Sequence, residues 1–198
     1  MLQNIEVIST PNSNYLLIHK NGCSQVKEHF YENFDQVETY DSFPQNNKVN
    51  WTVLRDPYDR FISGLTYDIL KQFQSLDNLN EIINISSLSF YQKVNLKTRK
   101  KGNVSHIIPQ WTYLFSQPLD FLVKIKDLNN FLDLHFQKRV NFIESNTPLK
   151  QKNIVLDYIE KNSDFKNLIM AYLSPDYYYI QQMESKGVFW TWQTGKIF

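Results

Sequence analysis

Three short apolar runs, each followed by residues at helical spacing, set the pattern of the chain. Residues 15–20 form an apolar run that breaks at Asn21, Gly22, Cys23 and Ser24, and Val26, Phe30, Tyr31 and Phe34 then recur with a helical period. This predicts a strand, a tight loop and a helix. Residues 36–40 alternate as a short strand does, and residues 49–54 form a second β-rich core run that stops at Arg55-Asp56-Pro57. Pro57 suits the first turn of a helix, Asp56 suits its N-cap, and Phe61, Leu65, Ile69 and Leu70 give that helix one apolar face. Helical patterning with polar breaks continues over residues 76–94. Residues 120–125 predict a third core strand, with Asp127 as an N-cap and Leu128, Phe131, Leu132 and Leu134 as the apolar face of the next helix. Helical spacing runs on over 154–183, and the aromatic tail Phe189-Trp190-Thr191-Trp192 is expected to pack on the body.

Strands alternating with helices predict an α/β fold: a P-loop-like three-layer sandwich whose central sheet is mostly parallel and flanked by helices. The 198 residues carry no internal repeat, low-complexity tract or Gly/Pro/Ser linker, so residues 1–198 read as a single domain. Hydrophobic residues make up 42% and charged residues 21%, which excludes the composition of a disordered chain. Lys and Arg total 21 against 20 for Asp and Glu; a net charge of +1 gives no global attraction to nucleic acid or to an anionic membrane. Any basic site must therefore be local. A single cysteine, Cys23, excludes an intrachain disulfide framework and a Cys-based zinc site, and no metal is expected. No run approaches the roughly 18–20 apolar residues of a membrane helix, and residues 1–11 lack a leader pattern, so a soluble, cytoplasmic protein is expected. The Asn-x-Ser/Thr triplets at Asn50, Asn84 and Asn103 read as chance matches in an Asn-rich chain.

A strand that passes through a tight loop into a helix leaves backbone N–H groups at the helix start, where the dipole favours an anion. In His19-Lys20-Asn21-Gly22-Cys23-Ser24-Gln25, Gly22 lets the backbone approach an anion, Ser24 supplies a hydroxyl, and Lys20 supplies charge at the strand end. The lysine precedes the glycine, so the Walker A order is absent. His29 stands six residues after Cys23, where a phosphatase loop carries an arginine. By itself this connection is an ordinary one. In residues 54–63, Arg55 ends a strand and Ser63 lies about two helical turns past a start near Pro57. A guanidinium and a hydroxyl held this way can bind one phosphate, the arginine in bidentate fashion. Taken alone, Arg55 and Asp56 read as helix caps and Arg60 as the surface partner of an acid. The basic run Lys97, Arg99, Lys100 and Lys101, ending in Gly102-Asn103, reads as a solvated loop.

Taken together, the strand-Lys-loop-helix order and the later strand-Arg-Asp-Pro-Tyr-x-Arg-Phe-x-Ser order resemble the sulfotransferases, in the branch that includes the Golgi carbohydrate sulfotransferases. A third segment, Ser105-His106-Ile107-Ile108-Pro109-Gln110, is similar to the family's His-x-x-Pro-Gln stretch; residues 120–128 resemble the strand that follows it, and Pro175-Asp176-Tyr177-Tyr178 gives a fainter echo. The likeness runs from about residue 15 to residue 132. It implies that Lys20, Asn21, Gly22, Cys23, Ser24 and Gln25 bind the 5′-phosphosulfate of 3′-phosphoadenosine 5′-phosphosulfate (PAPS), and that Arg55 and Ser63 hold its 3′-phosphate. Gln25 departs from the family's usual Ser, Thr or Asn, and Lys126 stands where an acid is frequent. The short chain without an anchor is expected to be a soluble microbial or viral form, unlike the Golgi members.

The implied reaction is transfer of a sulfuryl group to an acceptor hydroxyl, with carbohydrate favoured by the resemblance and adenosine 3′,5′-bisphosphate as product. Lys20 would stabilise the leaving oxygen. His106 is the first choice as general base, since imidazole accepts a proton near neutrality and the residue sits in a matching motif; a structural role orienting Pro109-Gln110 stands beside it. Glu38 and Asp41, read as the end of the strand before Trp51, are alternatives because ligands in open α/β sheets meet the carboxyl ends of strands. His19, His29 and His135 read as structural, and Tyr177, Tyr178 and Tyr179 as packing residues more than as an aromatic platform. Two other functions remain open at this stage: a catalytically inactive nucleotide-binding or assembly protein of the same fold, and, with less support, a P-loop nucleotide kinase.

Overall fold

In the computed structural model, which describes residues 5–72, 79–95, 106–136 and 149–191, the three apolar runs become three neighbouring strands of a five-stranded sheet, the third of them at its edge. The strands are β1 (Val7–Ser9), β2 (Ser13–Leu16), β3 (Glu38–Tyr40), β4 (Val49–Leu54) and β5 (Phe121–Lys124), in the spatial order β3-β1-β2-β4-β5. β4 is parallel to both β2 and β5, whereas β1 runs antiparallel to both β2 and β3. The fold is therefore α/β with a mixed sheet flanked by helices, which corrects the expectation of a mostly parallel one. The cause is β1, a three-residue strand that the hydrophobic pattern did not predict. It turns back at residues 10–12 with Thr10 N–H donating to the Ser13 carbonyl at 2.9 Å, and a hairpin forces antiparallel pairing.

The helices are α1 (Cys23–Asn33), α2 (Pro57–Gln72), α3 (Leu79–Asn95), α4 (Trp111–Leu114), α5 (Leu128–Phe136), α6 (Leu149–Lys161) and α7 (Ser163–Ser185). The chain groups into two compact units. The first comprises Met1–Pro57, Pro109–Glu144 and Pro175–Phe198 and holds the sheet; the second comprises Tyr58–Ile108 and Ser145–Ser174 and is helical where described. None of the described helices is long and apolar enough to cross a membrane.

In the first unit the side-chain period of two places Ile8, Tyr15, Trp51, Val53, Phe121 and Val123 in one core cluster with Val26 and Phe30 of α1 and Leu128, Phe131 and Leu132 of α5. The Trp51 ring is its centre, 4.8 Å from Tyr15 and 4.7 Å from Phe131, and stacked with Phe121. Burial holds the Tyr15 hydroxyl well above the ordinary tyrosine range. Asp127 closes a 3-10 turn, Ile125–Asp127, that leads straight into α5. The described part of the aromatic tail packs: Phe189 bridges Leu122, Trp190 N–H donates to the Leu122 carbonyl at 2.8 Å, and the Trp190 ring lies 5.3 Å from Phe131, while Trp192 lies outside the described residues.

The second unit has an aromatic core of its own, with the Phe90 ring 5.4 Å from Phe61, 5.7 Å from Phe165 and 5.4 Å from Tyr172. Tyr58 donates its hydroxyl to Glu160 and Lys152 pairs with Asp59. Hydrogen bonds from Lys166 and Tyr58 hold the Glu160 carboxyl below the usual glutamate range.

Trp190 is only 2% exposed although it hangs from a single bridge at the sheet edge. Trp190→Ala is expected to lower unfolding free energy by about 3–5 kcal/mol in a denaturant titration followed by circular dichroism; a loss under 1 kcal/mol would mean that the tail merely rests on the core.

Candidate functional site

Parallel strands put their carboxyl ends on one edge of a sheet, and in the first unit the loops after β2 and β4 meet there. After β2 the chain stays buried through Leu17 and Ile18 and then turns. Lys20 has φ 67° and Gly22 has φ 77°, so two left-handed residues flank Asn21. That conformation costs a non-glycine residue roughly 1–2 kcal/mol, and Lys20 adopts it because Asn21 is anchored from inside. Asn21 is fully buried, and its Nδ2 donates to the Val53 carbonyl at 2.8 Å and to Gln110 Oε1 at 2.6 Å.

Gly22 is the N-cap of α1, with no side-chain capping bond and no acid in the first turn. The first intrahelical bond runs from Val26 N–H to the Gly22 carbonyl at 3.0 Å, so the amides of Cys23, Ser24 and Gln25 head the helix without an intrahelical acceptor. A Cβ at Gly22 would lie 2.9 Å from Leu128 Cδ2 and 3.1 Å from Ile125 Cδ1, methyl ends that can give way, so it is the positive φ that favours glycine here. Cys23 is half-buried and Ser24 exposed; the Gln25 amide donates to Asn129 Oδ1 on α5.

Arg55 follows β4 and is half-buried. Its Nη1 donates to the Lys20 carbonyl at 3.3 Å, which joins the second motif to the first. Gln110, buried at the start of α4, makes the connection firmer. Its Oε1 accepts from Arg55 N–H at 3.2 Å as well as from Asn21, and its Nε2 donates to the Arg55 carbonyl at 2.9 Å. Asp176 on α7, itself buried, accepts from Gln110 N–H at 2.9 Å and from Trp111 N–H at 2.7 Å. Gln110 and Asp176 lie in segments that the motifs single out, yet sequence reasoning gave neither a role.

Ser63 and His106 belong to the second unit. Ser63 is buried on α2. His106 Nδ1 lies 2.6 Å from Asp68 Oδ1, and its ring meets that of Tyr67 edge to face at 4.7 Å. Gly64 lies beneath the same segment: a Cβ there would come within 2.2 Å of the His106 carbonyl oxygen. Arg60 is fully buried and donates Nη1 to the Ile108 carbonyl at 2.6 Å, so it is not a surface partner of an acid.

The alternative bases lie at the outer strand β3 of the sheet. Glu38 opens β3 and does not end it: it pairs with Ser9, which pairs with Asn14, near the amino end of β2 and two strands, about 10 Å, away. It is exposed and accepts from the Tyr40 hydroxyl, which raises the Tyr40 pKa. Asp41 follows β3 on the same outer strand. Of the tyrosines on α7, Tyr178 is 66% exposed, Tyr177 donates to Asp56 at 3.4 Å, and burial raises the pKa of Tyr179. His29 packs against Phe30 and Phe136, and His135 against Phe131 and Trp190. His19 is half-buried in the turn before Lys20. The basic run 97–103 and Ser105 lie outside the described residues. In comparison with known proteins, no family model matches the chain, and neither a curated protein nor a solved structure does.

Removing the Gln110 amide strands two donors and a carbonyl at once. Gln110→Ala is expected to lower stability by at least about 1–3 kcal/mol and to speed hydrogen exchange at the Arg55 amide. Unchanged exchange there would show that Gln110 does not fix the loop edge.

Proposed function

We propose that the chain is a PAPS-dependent sulfotransferase acting on a hydroxyl, on a P-loop-like three-layer core, with the carbohydrate acceptor drawn from the resemblance. The observation that carries this reading is the direct joining of the two motif segments: Arg55 bonds the Lys20 carbonyl, and one buried amide, Gln110, holds both Asn21 and the backbone of Arg55. Two cationic residues on adjoining loops beside a row of helix-start amides are the groups an anion site would use, and their grouping supports the reading on a protein whose net charge is only +1.

In this mechanism the amides of residues 23–25 and the Ser24 hydroxyl hold the 5′-phosphosulfate, and Arg55 engages the 3′-phosphate. Lys20 interacts with the oxygen that bridges sulfur and phosphorus. The acceptor oxygen attacks sulfur in line as the bond to that bridging oxygen breaks; adenosine 3′,5′-bisphosphate leaves with the electron pair, and Lys20 stabilises the charge it gains. The acceptor proton passes to a base. The motif gives this role to His106 and a share of the 3′-phosphate to Ser63.

Calorimetric titration of the full chain with adenosine 3′,5′-bisphosphate, with AMP and ATP as controls, tests the nucleotide site. The bisphosphate is expected to bind at least about tenfold tighter than AMP, the equivalent of one charge-assisted contact to the 3′-phosphate. Equal affinities would overturn the reading. Arg55→Ala should weaken bisphosphate binding about 10- to 100-fold, whereas Lys20→Ala should lower kcat roughly 10²-fold with a smaller effect on affinity. Binding of the bisphosphate without sulfuryl transfer to any hydroxyl acceptor would leave a nucleotide-binding protein in place of an enzyme.

A further inference from the structure

One face of α2 is given over to a single downstream segment. Arg60, Gly64, Tyr67 and Asp68 follow one another at spacings that share a helix face, and each meets residues 106–108 by a different kind of contact. Arg60 holds the Ile108 carbonyl, Gly64 admits the His106 backbone, Tyr67 sets its ring edge-to-face with the imidazole, and Asp68 takes the imidazole Nδ1 at 2.6 Å. A histidine used only as filler needs no such set. The His106 and Asp68 side chains are 16% and 14% exposed, so the pair is largely removed from water without being sealed from it.

We infer that Asp68 is a positioning residue that fixes the proton of His106 on Nδ1 and presents Nε2 as the proton acceptor. A carboxylate oxygen can only accept, so a hydrogen bond of this length requires Nδ1–H, and neutral imidazole then carries its lone pair on Nε2. Tyr67 fixes the plane of the ring and Gly64 fixes the height of its backbone, so Nε2 has a defined direction. When Nε2 takes the proton of an acceptor hydroxyl, the imidazole becomes an imidazolium. The Asp68 carboxylate stabilises that charge without itself being protonated, and the proton leaves later from Nε2 to solvent. The tautomer follows from the geometry alone; the use of the lone pair in sulfuryl transfer rests on the function proposed above.

Two readouts on the full chain separate the inference from that reading. The first is the ring nitrogen signals of His106 in protein labelled with ¹⁵N-histidine, assigned by their loss in His106→Gln and recorded where the ring is neutral. Wild type is expected to show a protonated Nδ1 and an unprotonated Nε2, and Asp68→Asn to lose that preference. A protonated Nε2 in wild type, or the same tautomer in Asp68→Asn, overturns the inference whatever the protein catalyses. The second is the kinetics of sulfuryl transfer. Asp68→Asn should lower kcat at least about tenfold and by no more than the ~10²–10⁴ that a general base contributes, with KM for PAPS within about twofold and partial recovery in Asp68→Glu. A raised KM at full kcat would overturn the positioning role. Absence of transfer in wild type alongside the expected tautomer would count against the sulfotransferase reading and leave the Asp68–His106 assignment standing.

Discussion

The buried amide of Gln110 is the interaction on which the loop edge of the first unit depends. A primary amide out of water has to satisfy a carbonyl and an N–H₂ group, and each group left unpaired costs roughly 1–3 kcal/mol. Gln110 meets this by accepting from Asn21 and Arg55 and donating to the Arg55 carbonyl. Its own backbone is fixed in turn by Asp176. Three loops that share no strand ladder at these residues thereby share one rigid point. The left-handed Lys20 backbone persists because Asn21 beside it cannot move without breaking two bonds.

The sequence made the elements legible where local chemistry decides them. β4 spans the residues that the second β-rich run predicts, α2 begins at Pro57, and β5 lies within the third run. The β2 ladder sits slightly earlier than its apolar run, because Leu17 and Ile18 are buried beyond the last paired residue. β1 was illegible: three residues carry no period, and the strand exists through its pairing with β2 and β3. It also turned a sheet expected to be mostly parallel into a mixed one.

Side-chain partners were less legible than elements for a related reason. Arg60 looks like a surface cation in its local context, which does not show that it is buried and bonded to the Ile108 carbonyl 48 residues later. Gln110 meets Arg55, Asn21 and Asp176 across separations of 55, 89 and 66 residues. The motifs marked these positions without revealing what they bond. Asp68 shares a face of α2 with Gly64 through a spacing of four, but nothing local marks its partner His106, which lies 38 residues later.

On the function proposed above, the charge balance explains why an anion site in this chain would need buried scaffolding. At physiological ionic strength the field of an exposed charge fades over about 8 Å, and a chain with nearly equal numbers of acids and bases has no long-range surplus to add. On that reading a polyanionic nucleotide would have to be held by contacts, and contacts of this kind discriminate only if the donors are aimed before the ligand arrives. Helix-start amides are aimed by the fold itself, but a lysine and an arginine on loops are not. The bonds from Asn21 and Gln110 supply that aim at the backbone of both residues, leaving only side-chain rotamers to be ordered on binding. On this argument, the polar groups that look least hydrophilic in their placement, the buried Asn21, Gln110 and Asp176, are the ones that make a local basic site possible on a nearly neutral protein.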